Sequence, residues 1–198
     1  MEFQTQDATR PLGTYAFGLP IYVDSLMIDR QVQSLVGELR REFSATGFPL
    51  FIPVLRGGSY FYNDLSIAMQ DGSEEVVPHG VSYMLAQRYG DRTVGNPKVE
   101  LNWWDVDRND LRGMTVLLVD DILDEGITAE AIVSGLRQRG ARKILSAFAC
   151  RKVPVKTAFK PDYVLFDVPA DVWCAGYGMD WNHSFRNVRL IMGTARSL

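Results

Sequence analysis

The sequence predicts an α/β fold, a doubly wound and mostly parallel sheet with helices on both faces. Three observations carry that prediction. The runs "FPLFIPVL" (48–55), "TVLLV" (115–119), "KILSAFAC" (143–150) and "YVLFDV" (163–168) are short and nearly all apolar, as strands covered on both faces are. Between them lie segments whose apolar residues recur at helical spacing. The two kinds alternate along the chain, which implies parallel strands joined by right-handed crossovers.

In chain order, Val32, Leu35, Val36, Leu39 and Phe43 follow helical spacing after a polar leader and predict an amphipathic helix over 29–43. The run 48–55 is a strand that stops at "RGG", where Gly57 and Gly58 make a sharp turn; Phe61, Leu65, Ala68 and Met69 then give a second helix its inner face. "QRYGDRTVGNPK" (87–98) is polar, contains glycine and is flanked by possible strands near 76–83 and 98–104. A loop of that length in a compact domain serves function or is disordered, and a mobile lid is the expectation here. The strand 115–119 leads into an acidic loop. Ala129, Ile132, Val133 and Leu136 form a third helical stripe, ending near Gly140 as the residue past the cap.

A chain of 198 residues fits one domain and can bury a real core; 46% is apolar and 23% charged. The net charge of -3 gives a nucleic-acid partner no electrostatic support. Cys150 and Cys174 are too few for a disulfide framework and suit a reducing compartment, as small buried hydrophobes. "MEFQTQDATR" does not read as a signal peptide, and no apolar run approaches the roughly 20 residues of a membrane helix, so the expected location is the cytoplasm. There is no internal repeat and no low-complexity linker.

Ligands of doubly wound sheets sit beyond the carboxyl ends of the strands, where the "RGG" turn and the acidic loop both fall. "VLLVDDILDEGIT" (116–128) packs Asp120, Asp121, Asp124 and Glu125 into six positions. Their mutual repulsion calls for a cation or a polar ligand. One reading is a solvated acidic turn before a helix. A second is the DDxxD metal motif of isoprenoid synthases, but that motif lies within a helix of an all-helical fold, whereas a β-type run precedes this one. A third is a sugar-phosphate site. Paired carboxylates accept hydrogen bonds from vicinal hydroxyls, while the following amides, at a helix N-terminus relieved of bulk by Gly126, cradle a phosphate and Thr128 adds a hydroxyl.

On this segment the chain resembles the phosphoribosyl pyrophosphate-binding motif of type I phosphoribosyltransferases, and more narrowly hypoxanthine-guanine phosphoribosyltransferases. The likeness spans about residues 50 to 192. It rests on "LRGG" (55–58), "YGDRTVG" (89–95), the acidic loop, "CRKVP" (150–154), "KPDYVLFDVP" (160–169) and "GYGMDWNHSFRN" (176–187) in that order. It implies a single domain over 1–198, with a core over about 29–168, a hood from the N-terminal leader and about 169–198, and a lid loop over about 84–98. It also implies Mg²⁺ as cofactor, a homodimer or homotetramer, and no nucleic-acid or membrane partner.

The resemblance implies the following roles. Asp120 and Asp121 hold the ribose hydroxyls, directly or through Mg²⁺ and water, and Asp124 is the general base for the purine ring nitrogen. The amides of Glu125, Gly126, Ile127 and Thr128 bind the 5′-phosphate. Leu55, Arg56, Gly57 and Gly58 line the pyrophosphate site, with a non-proline cis peptide before Arg56. Tyr89 closes over the reacting centre. "CRKVP" offers a cation, from Arg151 or Lys152, to the purine's exocyclic oxygen; an ungapped match puts Arg151 where a lysine is usual. Trp173 stacks on the base and the Cys174 backbone reads its edge. Asp180 lies by the purine and binds a Mg²⁺ shared with pyrophosphate, and Arg186 contacts pyrophosphate.

Several positions depart from the common pattern: Glu125 and Ile127 in the phosphate loop, Val155 where a pyrophosphate-side arginine is frequent, Arg88 before Tyr89, and Arg56 in place of lysine. Taken singly, Trp173 reads as core, Asp180 as a turn residue and Arg186 as a surface ion-pair partner. Trp103 and Trp104 read as core or subunit contact, and His79 and His183 lack metal-ligand spacing. The implied activity is transfer of the 5-phosphoribosyl group to hypoxanthine or guanine. The alternatives are a xanthine-preferring or single-base enzyme, and a non-catalytic sensor of phosphoribosyl pyrophosphate.

Overall fold

The computed structural model describes residues 3–44, 47–70, 79–89 and 98–195. Its elements in order are β1 (Gln6–Asp7), β2 (Tyr15–Ala16), β3 (Leu19–Val23), α1 (Ser25–Phe43), β4 (Leu50–Leu55), α2 (Gly58–Ala68), β5 (Met84–Tyr89), β6 (Lys98–Asn102), a 3₁₀ turn (Val106–Arg108), β7 (Thr115–Leu123), α3 (Ile127–Gln138), β8 (Lys143–Val153), β9 (Tyr163–Pro169), β10 (Val172–Ala175) and β11 (Ile191–Ala195).

Seven strands form the main sheet in the order β1-β9-β8-β7-β4-β5-β6. All its pairings are parallel except β5 with β6. Alternation of side chains decides which helix each strand meets. On β7, Leu117 and Val119 face the cluster containing Ile28, Leu35 and Leu39 of α1 and Phe61 and Leu65 of α2. Val116 and Leu118 face the cluster built on Ile132, Val133 and Leu136 of α3. The sheet is thus covered on both faces, which is why its strands read as unbroken apolar runs.

A second, antiparallel sheet runs β10-β11-β3-β2, joining the N-terminal leader to the C-terminal segment. A small cluster of Leu19, Ile21 and Met192 holds it, with Phe185, Val188 and Leu190 packed against it.

Two boundaries differ from expectation and a third agrees with it. Helix α1 begins at Ser25 rather than 29, because the Asp24 carboxylate accepts from the Met27 amide at 2.8 Å and caps it there. The strand expected near 76–83 is represented among the described residues by a bridge from Phe51 to Val81, and regular pairing starts at Met84; residues 71–78 lie outside the described set. Helix α3 stops as expected: Gly140 takes φ +86°, its amide donates to Arg137 O at 3.0 Å, and Ala141 N donates to Leu136 O at 3.2 Å.

The carboxyl ends of β4, β7, β8 and β9 open on one edge of the sheet, toward β10. Among the described residues no helix is long and apolar enough to cross a membrane.

Candidate active site

β4 delivers the first wall. It ends at Leu55, and the Leu55–Arg56 peptide is cis, as expected. The chain then passes so close to β7 that a Cβ on Gly57 would come within 1.7 Å of Asp121 Oδ2, and one on Gly58 within 2.5 Å of Val119 O. Glycine at both positions is therefore a matter of space.

The acidic segment is not the loop expected after a strand of 115–119, because β7 continues through Asp120, Asp121, Ile122 and Leu123. Asp120 pairs with Phe148 and Ile122 with Cys150 of β8, and Leu123 is buried. The period of two that runs through the apolar residues simply continues into the acidic ones. Asp120 and Asp121 consequently point to opposite sides of the strand, and Asp121 N donates to Asp120 Oδ1 at 2.8 Å. Burial pushes the Asp120 carboxyl well above the usual carboxylate range, and the neighbouring Asp121 charge adds to this. Burial raises Asp121 as well, against the opposing hydrogen bond with Asp120 and the positive Arg186.

The turn from β7 into α3 holds Asp124, Glu125 and Gly126. Gly126 has φ +75° and stands at the N-cap of α3 with no side-chain cap. A Cβ there would also meet Thr157 Oγ1 at 2.1 Å. The helix opens at Ile127, so its first amides face the cleft with the helix dipole behind them, an arrangement suited to an anion.

The opposite wall comes from β10 and the segment 176–187. Trp173 is 41% exposed, and its Nε1 donates to Asp180 O at 3.2 Å. The Asp180 carboxylate accepts from Arg186 Nη2 and from the His183 amide at 3.2 Å. Arg186 Nη1 donates to Gly178 O at 2.5 Å. Asn182, His183 and Phe185 all take positive φ around this turn, backbone strain of a kind that concentrates at functional sites.

On β8 two neighbouring cations point to opposite sides, and Lys152 is the one that lines the cavity. Lys152 is 2% exposed; its Nζ donates to Pro169 O at 3.1 Å, to Val172 O and to Cys174 Sγ at 3.1 Å. Arg151, the preceding residue on the strand, points the other way and forms a two-pronged ion pair with Asp167 of β9 at 2.8 and 2.9 Å. Arg151 is therefore not brought to the site.

Two connected spaces result. A cavity of about 170 Å³ is lined by Asp121, Ile122, Asp124, Lys152, Trp173, Cys174, Met179, Asp180 and Arg186. It shares Asp124, Trp173 and Arg186 with a cleft of about 860 Å³ that runs past Leu55, Arg56, Gly57 and Asp120 to the Glu125–Thr128 turn. Ile122, Met179, Gln87 and Phe148 also line these spaces and were not singled out in the sequence. Ile122, Met179 and Gln87 sit inside segments already identified; Phe148 carries no local signal, since only strand pairing brings it here. Tyr89 ends β5, and the lid residues 90–97 lie outside the described set. His183 reaches the rim of the cleft with its side chain 99% exposed. Val155 is exposed.

Among the described residues no cluster of three or more His, Cys, Asp or Glu side chains is arranged around a point. Both cysteines are buried, and neither is in a disulfide.

Comparison with known proteins places this geometry. The phosphoribosyl transferase domain family matches residues 22–182. The hypoxanthine-guanine phosphoribosyltransferase of Bacillus subtilis is 33% identical over 165 residues, covering 83% of this chain and 86% of that protein. The human protein of that name is 31% identical over 140 residues, covering 68% of this chain; the chain spans 62% of its length, as it does of the chimpanzee protein. A hypoxanthine phosphoribosyltransferase of Trypanosoma cruzi, solved in complex with IMP, superposes with a TM-score of 0.77 at 24% identity, over 92% of this chain and 94% of that one; at that identity the likeness is one of fold. The chain therefore belongs to the phosphoribosyl transferase domain family, and within it to the hypoxanthine-guanine phosphoribosyltransferases.

Proposed function

We propose that this protein transfers the 5-phosphoribosyl group from phosphoribosyl pyrophosphate to hypoxanthine or guanine, giving IMP or GMP and pyrophosphate in purine salvage. The observation that carries the reading is continuity. One cleft leads from an aromatic-walled cavity, past a carboxylate pair, to a helix N-terminus with a glycine turn. A base, a sugar diol and a phosphate in that order are the parts of a purine nucleotide.

In the base cavity Trp173 offers an aromatic face and the Cys174 backbone an edge, while Lys152 supplies the cation for the exocyclic oxygen. Asp124, at the junction of the two spaces, takes the proton from the ring nitrogen that attacks the anomeric carbon. Asp120 and Asp121 accept the ribose hydroxyls, and the amides of Glu125 to Thr128 hold the 5′-phosphate. Because backbone performs that last task, Glu125 and Ile127 are compatible with it. Departure of pyrophosphate builds positive charge on the sugar and negative charge on the leaving group. The carboxylates stabilise the first, and Arg186 with the Leu55–Gly58 turn receives the second. Tyr89 and the lid exclude water that would intercept the activated sugar.

The donors available for a metal are all carboxylate oxygens, from Asp120, Asp121 and Asp180, which suits a hard divalent cation. They do not form a closed cage, which is the way Mg²⁺ sites shared with substrate phosphates are built. Bound there, Mg²⁺ would neutralise charge on the pyrophosphate. The protein would work in the cytoplasm as a homodimer or homotetramer; two buried cysteines outside any disulfide suit a reducing compartment.

The test is a panel of hypoxanthine, guanine, xanthine and adenine, each with phosphoribosyl pyrophosphate and Mg²⁺, followed by the absorbance change on nucleotide formation. Turnover of hypoxanthine or guanine that stops in excess chelator is expected. Turnover of xanthine alone selects the xanthine-preferring alternative, and no turnover of any base overturns the reading.

A further inference from the structure

Lys152 raises an accounting question. An ammonium has three N–H donors, and here they go to two backbone carbonyls and to Cys174 Sγ at 3.1 Å. The residue is 2% exposed, and among the described residues it forms no ion pair with a carboxylate. A buried cation is costly unless an opposite charge compensates it. Of its three partners only the thiol can carry one.

We propose that Cys174 is a modification site: with Lys152 it forms a thiolate–ammonium pair on the wall of the base cavity, poised to attack small electrophiles that enter that cavity. The thiolate, not the thiol, is the nucleophile, and an adjacent lysine cation is one of the environments that produce it. Access is provided because Cys174 lines the cavity, with 7% of its surface exposed. With iodoacetamide the sulfur lone pair forms the S–C bond as the C–I bond breaks, and iodide leaves with the electron pair.

Cys150 provides an internal reference. It is fully buried, does not line the cavity, and burial holds its thiol well above the usual range. That a purine base occupies this cavity rests on the function proposed above; the reactivity of Cys174 does not.

The experiment is alkylation of the full chain with iodoacetamide at pH 7, read by peptide mass mapping over time. The expected label falls on Cys174, with Cys150 unlabelled until the protein is denatured. Its rate levels off at a lower pH than that of a cysteine in a short peptide. Lys152→Gln should slow labelling about tenfold, as a one-unit loss of thiolate stabilisation would, and Lys152→Arg should retain most of it. A wild-type pH profile equal to the peptide's, or Cys174 labelled no faster than Cys150, overturns the proposal without recourse to any variant. A separate arm adds hypoxanthine. Protection of Cys174 is expected there, and its absence counts against the placement of the base while leaving the reactive pair standing.

Discussion

Gly57 and Asp121 touch: a methyl group on the first would sit 1.7 Å from a carboxylate oxygen of the second. Gly178, from the segment that carries Asp180 and Arg186, closes the same contact, since its own Cβ would lie 2.3 Å from Gly57 O. Three stretches far apart in sequence thus meet here, the Gly57 backbone lying between the Asp121 side chain and the Gly178 backbone. Gly57→Ala should displace Asp121 or the 55–58 turn. A misplacement on the order of 1 Å is expected to lower kcat/KM for phosphoribosyl pyrophosphate by roughly 10²-fold, with overpacking costing about 1–3 kcal/mol of stability. Steady-state kinetics and urea denaturation measure both. Wild-type kinetics in this variant would show that the close approach is not needed for function.

Asp124 tests the proton path. Asp124→Asn should reduce kcat by about 10²–10⁴-fold, the usual range for loss of a general base, with KM for both substrates little changed. A wild-type kcat would remove Asp124 from the base role.

For Trp173 the informative quantity is a ratio. Loss of a stacking face costs about 1–3 kcal/mol, which is roughly 5- to 150-fold in affinity. Trp173→Ala should therefore raise KM for the purine by that factor and KM for the sugar donor much less. The reverse pattern would place the base elsewhere.

The pair Asp120 and Asp121 makes a prediction about pH. Both carboxyls are raised from 3.8 in the folded protein, chiefly by burial. Between 3.8 and the raised folded values the native state holds more protons than the unfolded chain, so ligand-free stability declines as pH rises through that interval and levels off above it. Asp120→Asn, which has no charge to bury, should unfold at a higher temperature than wild type at neutral pH, with the gap narrowing toward pH 4. Calorimetry across that range decides it. A gap that widens on acidification would mean the carboxylate is stabilised, not penalised, by its surroundings.

Much of this protein is legible in its linear order. The period of the apolar residues announces the parallel core strands and the three helices, because a strand buried on both faces and a helix buried on one have different repeats. The motif "VLLVDDILDEGIT" announces a site, because four carboxylates so close together need a reason. Gly126 is legible as well, since a turn into a helix N-terminus favours a residue tolerant of positive φ, and φ is +75° there.

Other features depend on what tertiary contacts bring near. Asp120 and Asp121 lie in β7, and not in a loop after it, because pairing with Phe148 and Cys150 of β8 extends the strand; no propensity of aspartate would suggest that. Arg151 and Lys152 are adjacent cations with equal claims in sequence. The pleat turns one to Asp167 and the other to Cys174, and only the position of β9 and β10 says which way is inward. By itself the sequence determined the fold class, the carboxyl-end location of the site and its chemical class, because these follow from periodicity and from local crowding of charge. Tertiary structure alone decided which lysine or arginine faces the cavity, that Gly57 must yield space to Asp121, and that a thiol sits on the buried ammonium, because each depends on strands that meet only when the chain has folded.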